Sequence, residues 1–307
     1  MDNKQFDAFI VADLCIDLLF TGTVRPKYGQ AEQLIDDYTI DLGGSAAIFA
    51  AQFAKLGGKI GLLAKVAEDL FGNMLKDKLK SLGISTTYIS TDPSRKTSVG
   101  IGLFDGKDRA MLTYTGTMLA TQPEDIHKNH LNLTSHWHIA SYYLLTQLRS
   151  FWPEFLPQLK KQGISLSLDT NWDPEEDWQQ VQEILPFVDV FLPNEAEARY
   201  ISGKNDLLES GKYLAQYCGM VVVKCGADGA IVFRNDEIQS FAIPAELTEN
   251  LQIADTTGAG DNFDAGFLRN WLLGKSLEEC IHLGIRCGTA SLKAIGGIEG
   301  QLNLAQG

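Results

Sequence analysis

Apolar runs alternate with amphipathic stretches over most of the chain. Short, almost wholly apolar segments at 6–12, 188–192 and 220–224 have the length and composition of buried strands. Helical periodicity lies between such segments, for example over 147–161 and 205–217. Alternation of this kind is typical of βαβ units, in which helices cover both faces of a parallel sheet. The pattern therefore predicts an α/β fold with a central, mostly parallel sheet.

Two segments break this alternation. Residues 17–40 and 98–115 contain strand-like runs without a helix, and the Asp-Gly-Lys-Asp segment at 105–108 has the composition of a hairpin turn. We expect both segments to form a small β-flap, with lid segments at about 17–40 and 97–116 inserted in a single domain, 1–307. The other predicted helices cover 44–56, 70–82 and 178–185, and the other strands lie at 59–66, near 88, at 138–140 and at 165–169.

The charge balance limits the partners. The 307 residues include 39 acidic and 26 basic side chains, a net charge of −13, and 45% are hydrophobic. Nucleic-acid binding depends on Lys and Arg meeting phosphate, so this excess of acid argues against a nucleic-acid partner. The chain shows no basic leader and no run of roughly 18 apolar residues, which predicts a soluble, cytoplasmic protein with no membrane partner. The five cysteines lack paired spacing and are predicted to be buried thiols.

The strongest chemical signal is the segment Asp255-Thr256-Thr257-Gly258-Ala259-Gly260-Asp261. It follows an apolar strand end and precedes an apolar pattern at helical spacing, so it joins a strand to a helix. Free N–H groups at a helix start, with the positive end of the helix dipole, bind phosphate oxygens. Gly258 and Gly260 let the backbone approach such an anion closely. The segment therefore predicts a phosphate site.

Asp261 is predicted to lie in the first turn of this helix, beside the phosphate. A carboxylate there can accept the proton of an attacking alcohol, although an ordinary pKa near 3.9 makes it a weak base. It must therefore act late, when the hydroxyl becomes acidic in a loose transition state. The alternative is that Asp255 or Asp261 only caps the helix. Two acids flanking two glycines exceed what a cap requires, so we predict that Asp261 is a general base.

The segment resembles the C-terminal signature of the ribokinase-like (PfkB-type) carbohydrate kinases. That signature is Asp-[Thr/Ser]-x-Gly-Ala-Gly-Asp, followed by Phe or Tyr and then Ala-Gly, as at 263–266. Residues 43–72 resemble the family's N-terminal glycine signature, 194–197 its Asn-x-x-Glu motif, and 224–230 its nucleotide-side glycine turn. The likeness extends over nearly the whole chain. It implies a ribokinase-like sheet, a flap over the sugar, and transfer of the γ-phosphate of ATP to a hydroxyl.

The resemblance assigns the phosphate-transfer roles. Asp261 is implied as the base, with an anion hole formed by the amides of Gly258, Ala259 and Gly260. Mg²⁺ is implied to be organised through water by Asn194 and Glu197, because a hard cation keeps its hydration shell. A monovalent cation near Asp255 is left open.

The other implied roles divide the site between donor and acceptor. The nucleotide is implied to lie against Lys224, Gly226, Gly229, Asp255 and Thr256. The sugar is implied to lie against Asp17, Gly43 and Gly44. Structural alternatives stay open: a turn acid at Asp17, ordinary turn glycines, a helix cap at Asn194 and a surface strand residue at Lys224.

Two departures from the family pattern bear on the acceptor. Ile48 stands where family members usually carry Asn, and Asp173 stands where an Arg is common. The missing arginine is the kind of cation that a sugar acid or a phosphorylated sugar would need. Arg109 on the flap, predicted to contact the substrate, and the neighbouring Lys107 are the remaining candidate cations. A neutral sugar or polyol is therefore favoured.

Other functions stay open. A nucleoside kinase of the same fold is the main alternative, and it would use an aromatic flap residue from the set Phe20, Tyr28, Phe104 and Tyr114. A catalytically silent binding protein is the second, although a binder has no need of a base at an anion hole. A dinucleotide-dependent enzyme is disfavoured because the glycine turn lies late in the chain. The resemblance also suggests a homodimer through the flap, with contacts at Leu18, Leu19, Phe20 and Ile101.

Overall fold

The computed structural model describes residues 4–105 and 109–304, in which strands and helices alternate. The strands are β1 (Ala8–Val11), β2 (Cys15–Thr21), β3 (Asp37–Gly43), β4 (Ile60–Ala67), β5 (Ile89–Asp92), β6 (Val99–Phe104), β7 (Arg109–Tyr114), β8 (His136–Ile139), β9 (Ser165–Leu168), β10 (Val190–Phe191), β11 (Val221–Lys224), β12 (Ala230–Arg234) and β13 (Glu237–Phe241). The helices are α1 (Ser45–Lys55), α2 (Leu70–Ser81), α3 (Trp152–Lys161), α4 (Glu195–Ser202), α5 (Leu207–Leu214), α6 (Ala245–Thr248), α7 (Ala259–Leu272) and α8 (Leu277–Ser291).

A nine-stranded sheet lies at the centre, in the order β13-β12-β11-β10-β9-β8-β1-β4-β5. Its strands pair in parallel from β5 to β11, while β12 and β13 pair antiparallel at one edge. The predicted α/β fold with a mostly parallel sheet is confirmed. The β12–β13 hairpin is an addition to the predicted strands. Its Asn235-Asp236 link between two strand-like runs is a two-residue turn that could have indicated it.

Strand β1 shows how the sheet divides the core. Ile10 packs in an apolar cluster that includes residues of α1, α7 and α8, whereas Phe9 packs in a second cluster that includes residues of α3. Successive side chains of a strand point to opposite faces of the sheet. A strand covered on both faces must therefore be apolar throughout, which is why β1 shows no alternation.

Two of the predicted helices differ in the structure. The predicted helix at 147–161 begins only at Trp152, because Pro153 lacks an N–H group and favours a helix start; a 3₁₀ turn, Thr146–Leu148, precedes it. The segment predicted as a helix at 178–185 forms two 3₁₀ turns, Trp178–Glu183 and Leu185–Phe187. Trp152 and Trp178 pack in the second apolar cluster, on the sheet face opposite α7, so both differences lie away from the glycine turn.

The predicted flap is a separate four-stranded sheet in the order β3-β2-β6-β7. Its register places Asp17 beside Asp41 and Gly100 on one face, which we call the inner face. Leu18 lies beside Ile40 and Ile101 on the opposite, outer face. Of the turn predicted at 105–108, residues 106–108, including Lys107, lie outside the described residues.

The cysteines are free thiols. Cys15, Cys225, Cys280 and Cys287 are buried and Cys218 is half-buried, so they pack as small apolar side chains. Within residues 4–105 and 109–304, no helix has the length and apolarity needed to span a membrane.

Helices α7 and α8 approach each other closely at Gly266. A Cβ atom at this position would lie 2.6 Å from the Leu283 carbonyl oxygen and 2.9 Å from Cys287 Sγ. Both distances are shorter than van der Waals contact, so a side chain here would push the two helices apart. Because α7 begins with the glycine turn, this packing also sets the position of the predicted phosphate site.

We expect Gly266→Ala to destabilise the fold by about 1 to 3 kcal/mol, the usual range for overpacking. Arg286→Ala, on the exposed side of α8, is the matched control and should change the free energy of unfolding by less than about 0.5 kcal/mol. Urea unfolding followed by tryptophan fluorescence measures both. A Gly266→Ala protein as stable as the control would show that the helix contact is not close-packed.

Candidate active site

Several polar side chains, some predicted as site residues and some not, meet at the carboxyl ends of the parallel strands, where ligands of such sheets bind. Asp13 follows β1 and Asp169 follows β9. Asn194 lies between β10 and α4, and Lys224 ends β11. The start of α7 faces this edge, so residues distant in the sequence are brought together around the glycine turn.

The glycine turn has a backbone conformation that requires glycine. Gly258 is the N-cap of α7 and has a φ of 71°. A Cβ on Gly260 would lie 3.3 Å from Lys224 Nζ. The Ala259 amide donates to the Thr256 carbonyl oxygen at 3.3 Å, while the amides of Gly260 and Asp261 belong to the first helical turn, which lacks partners inside the helix. The predicted anion hole, formed by the amides of Gly258, Ala259 and Gly260, therefore differs in the structure. The Ala259 amide is occupied, and the amides of Gly260 and Asp261 are the ones best placed to bind an anion, beside the Lys224 ammonium group.

Asp261 lies in the first turn of α7 and is 7% exposed. Burial and the nearby Asp169 carboxylate raise the pKa of Asp261 to about 7, against the opposing effects of Lys224 and a hydrogen bond with Ser45. The carboxyl group therefore ionises near neutral pH, and once ionised it is a stronger base than an exposed aspartate. The structure thus supplies a basicity that the sequence alone does not indicate.

Lys224 is held between two buried carboxylates. Its Nζ lies 2.8 Å from Asp169 Oδ2 and 3.0 Å from Asp264 Oδ2. Burial lowers the pKa of Lys224, but the carboxylates of Asp169 and Asp264 raise it above its ordinary value, so the ammonium group stays charged. Burial also raises the pKa of Asp264 well above the usual range. The surface alternative for Lys224 is therefore wrong, because the side chain is only 12% exposed and is fixed as a cation between two carboxyl groups.

Asn194 and Glu197 start α4 as a reciprocal cap. Asn194 N donates to Glu197 Oε2 at 2.8 Å, and Glu197 N donates to Asn194 Oδ1 at 2.9 Å. Burial and the Asp169 carboxylate raise the pKa of Glu197 to about 7. Among the described residues, no group of three or more His, Cys, Asp or Glu side chains could hold a metal ion directly. The oxygen atoms of Asn194 and Glu197 are hard donors of the kind that Mg²⁺ prefers.

A cavity of about 490 Å³ lies beside the glycine turn. Four of the residues predicted to contact the nucleotide line it, namely Lys224, Gly226, Gly229 and Thr256. The rest of the wall is mostly apolar and includes Ile243, Leu251, Ile253, Phe263, Ile285, Gly288 and Leu292. An apolar cleft that ends at backbone amides and a cation can accommodate a planar base with an attached phosphate chain.

Asp255 is predicted to contact the nucleotide, but it lies behind the turn and does not line this cavity. Its Oδ1 accepts hydrogen bonds from Thr257 N and Thr257 Oγ1, each at 2.9 Å, and its Oδ2 accepts one from Gly296 N at 2.9 Å. These bonds occupy the carboxylate and join the turn to the loop at Gly296. Arg109 of β7 reaches the same place, since its Nη1 donates to Thr257 Oγ1 at 2.6 Å. The flap thus contacts the glycine turn directly.

The inner face of the small sheet forms the opposite side of the site. Asp17 is 6% exposed, and a Cβ on Gly43 would overlap its carboxylate. Burial raises the pKa of Asp17 to about 7, and the carboxylates of Asp13 and Asp41 add to the shift. Gly44 is the N-cap of α1 and lies against the Asp13 carbonyl group. The predicted sugar contacts Asp17, Gly43 and Gly44 are therefore brought together.

Asp13 is a buried acid that the motifs do not indicate. Its carboxylate accepts hydrogen bonds from Ser45 N at 3.0 Å, Ala46 N at 2.9 Å and Ser141 Oγ at 2.5 Å. Asn171 extends the network, with Nδ2 donating to Ser45 Oγ at 2.9 Å and Oδ1 accepting from Ser141 N at 2.9 Å. In the sequence, Asp13 could have been recognised as the single acid inside the apolar run at 8–16. Asp264 gives a similar signal, an acid among the apolar positions of α7.

Comparison with known proteins gives a consistent result over nearly the whole chain. The model of the pfkB family carbohydrate kinases matches residues 8–303. Ribokinase from Mus musculus is 28% identical over 307 residues, which cover 96% of this chain and 91% of the mouse protein.

Solved structures show the same fold. Arabidopsis thaliana ribokinase complexed with ribose and ATP superposes with a TM-score of 0.84 at 21% identity, covering 97% of this chain and 96% of the plant protein. Adenosine kinase from Sinorhizobium meliloti superposes with a TM-score of 0.83 at 21% identity, covering 98% of each chain. The resemblance found in the sequence motifs is confirmed, and the chain belongs to the pfkB family of carbohydrate kinases.

Proposed function

We propose that the chain transfers the γ-phosphate of ATP to a hydroxyl group of a neutral sugar or polyol, with Asp261 as the general base. The observation that supports this most is the position of Asp261. Its buried carboxyl group lies between the helix amides and Lys224 on one side and the network of Asp13 and Ser45 on the other. A base placed there can serve an acceptor on the flap side and a phosphate on the cavity side.

In the proposed reaction, Asp261 accepts the proton of the acceptor hydroxyl as its oxygen attacks the γ-phosphorus. The bond from this phosphorus to the β-phosphate oxygen breaks, and ADP leaves. The amides of Gly260 and Asp261, with the Lys224 ammonium group, stabilise the charge on the transferred group. Burial of the site limits the access of water, which would otherwise compete with the acceptor.

Magnesium would neutralise the phosphates of the nucleotide. The Asn194 amide oxygen and the Glu197 carboxylate are hard oxygen donors, which fit an ion that keeps most of its waters. They lie near Lys224, because the backbones of Asn194 and Lys224 pair in a β-bridge. A monovalent cation near Asp255 stays part of the proposal, although the Asp255 carboxylate already accepts three hydrogen bonds from Thr257 and Gly296.

The charge around the acceptor pocket favours a neutral substrate. Asp13, Asp17 and Asp41 are all buried, and the first and last of these raise the pKa of Asp17. Like charges in a desolvated site resist a further negative charge, so a sugar acid or sugar phosphate would be disfavoured. The cations on this side are already engaged, since Lys78 Nζ pairs with Asp41 Oδ1 at 3.0 Å and Arg109 donates to Thr257.

The two departures from the family pattern agree with this choice. Ile48 packs against Gly258 and Gly297, where it presents only methyl groups. Asp173 is fully buried, with Arg149 Nη2 3.7 Å from its Oδ1. Arg149 also pairs with Glu175 at 2.9 Å, so its charge is compensated by two carboxylates.

The nucleoside alternative receives less support from the flap. Of the four aromatic candidates, Phe104 pairs with Thr21 and shares the inner face with Asp17. Phe20 and Tyr114 lie on the outer face, and Tyr28 is 99% exposed. A single inner aromatic ring provides a smaller stacking surface than the sequence suggests.

The test is a coupled assay of ADP release over pentoses, hexoses, polyols, sugar acids, sugar phosphates and nucleosides, with Mg²⁺ and with K⁺ or tetramethylammonium. We expect release that depends on a neutral sugar or polyol. Asp261→Asn is the control and should lower turnover by a factor of about 10² to 10⁴ while ATP binding is retained. Near-normal turnover in this variant would exclude Asp261 as the base, and a nucleoside as the preferred acceptor would establish the alternative.

The pH dependence of kcat/KM provides a second test. Asp261 must be ionised to accept a proton and its pKa is raised to about 7, so activity should rise with pH and level off above about 7. Asp17 and Glu197 also have raised pKa values of about 7. The residual activity of Asp261→Asn should therefore lack the rising limb if Asp261 causes it. A limb of unchanged slope in the variant would assign it to another group.

We also propose a homodimer through the outer face of the flap. Pleat alternation makes this face wholly apolar, with Leu18, Phe20, Tyr38, Ile40, Ile101, Leu103, Ala110, Leu112 and Tyr114. Tyr38, Leu112 and Tyr114 are 62%, 58% and 51% exposed. A continuous apolar sheet face of this kind favours a protein contact. Leu19 is wrong as a predicted contact, because it lies on the inner face and is fully buried.

Light scattering should give twice the mass of a single chain, and Leu112→Lys should give a monomer because a buried unpaired charge is unfavourable. Leu208→Lys is the matched control, since Leu208 is 46% exposed on α5, and it should leave the mass unchanged. A wild-type protein with the mass of one chain would exclude the dimer.

A further inference from the structure

Asn262 follows the proposed base and is fully buried. Its Nδ2 donates to the Gly258 carbonyl oxygen at 2.8 Å and to the Gly297 carbonyl oxygen at 2.9 Å. Its backbone N also donates to the Gly258 carbonyl oxygen, at 2.9 Å. One residue therefore closes the first turn of α7 twice and joins that turn to the loop at Gly297.

The residues enclosed by this closure are Ala259, Gly260 and Asp261, which carry the proposed anion-binding amides and the base. A helix start is otherwise weakly held, because its first amides make no helical hydrogen bonds. Bonds from both N and Nδ2 to one carbonyl oxygen fix the direction of the peptide that begins the turn. The position of the following amides is then fixed relative to the Asp261 carboxylate.

Gln301 holds the Asn262 side chain in this orientation. Its Nε2 donates to Asn262 Oδ1 at 2.8 Å and to the Ile48 carbonyl oxygen at 2.9 Å. Gln301 is 7% exposed, so these bonds form away from water, where an unmade hydrogen bond is costly. Because its Oδ1 accepts from Gln301, Asn262 must present Nδ2 to the two carbonyl groups.

We propose that Asn262 and Gln301 are positioning residues that preorganise the anion hole and Asp261 for phosphoryl transfer. The proposal rests on the proposed kinase function. Donors held in place before the reaction stabilise the transition state without reorganisation. Loss of either residue should therefore lower kcat more than it raises KM for ATP, because the cavity for the nucleotide keeps its walls.

Gln52 provides a matched control. It docks the same C-terminal segment, with Nε2 donating to the Leu302 carbonyl oxygen at 2.8 Å and Oε1 accepting from Leu302 N at 3.0 Å. Among the described residues, the Gln52 side chain bonds to Leu302 and makes no hydrogen bond to the first turn of α7. Removing it tests docking of the segment separately from positioning of the turn.

The experiment compares Asn262→Ala, Gln301→Ala and Gln52→Ala in the full chain by kinetics and by hydrogen exchange of the peptide 255–263. We expect kcat to fall about 10- to 100-fold in the first two, somewhat less than for removal of a whole oxyanion-hole donor, with KM for ATP changed by less than about threefold. Amide exchange in 255–263 should be faster in the first two. Gln52→Ala should lose stability but keep kcat and the exchange of this peptide.

Equal loss of kcat in Gln52→Ala and Gln301→Ala would overturn the proposal in favour of general docking, and so would unchanged exchange in both Asn262→Ala and Gln301→Ala. The exchange readout needs no acceptor. If the wild-type protein phosphorylates nothing yet the exchange changes as expected, the positioning contact stands and the proposed function fails. If sugar phosphorylation is found with unaltered kcat in Gln301→Ala and Asn262→Ala, the function stands and the positioning role fails.

Discussion

The site depends on one buried ion cluster, in which the Lys224 ammonium group lies between the carboxylates of Asp169 and Asp264. The three residues come from the end of β11, the loop after β9 and the body of α7. Removing Lys224 or Asp169 would leave a buried charge uncompensated, which is strongly unfavourable. The sheet edge and the helix that carries the glycine turn are therefore held at a fixed distance. Hydrophobic packing brings these elements together, and the ion cluster sets their register.

The charges around Asp261 affect both the proposed base and the proposed phosphate site. Burial and the Asp169 carboxylate raise the pKa of Asp261, the proposed base, while Lys224, the cation beside the proposed phosphate site, lowers it. The carboxyl group is left near neutrality, where it can hold or release a proton. A carboxyl group with a pKa raised to about 7 needs burial or nearby negative charge, whereas an anion hole needs positive charge. Here the two lie on the same helical turn, separated by the length of the Asp261 side chain.

The fold and the glycine turn could be predicted because both follow from local sequence patterns. Apolar strands such as β1 and the segment 255–261 need no knowledge of distant residues. The partners of Lys224 could not be found in this way, because Asp169 and Asp264 become neighbours only when the sheet and α7 meet. Pleat alternation distinguishes Leu19 from Leu18, but only once the register of β2 is known. Asp255 lies in the motif, yet its carboxylate is occupied by Thr257 and Gly296, which only the folded backbone shows.

The small sheet is joined to the main sheet through Asp13, since β1 and β2 are separated only by residues 12–14. The proposed nucleotide half of the site, around Lys224 and α7, belongs entirely to the main sheet, while the proposed acceptor half is shared with the inner face of the flap. Substitutions on β2 or β6 can therefore change the shape of the acceptor pocket without removing a contact to the glycine turn, whereas β7 contacts that turn through Arg109. Such a division allows the acceptor alcohol to differ between proteins that keep the same nucleotide site. Ribokinase and adenosine kinase share this fold and differ in the substrate that each is named for.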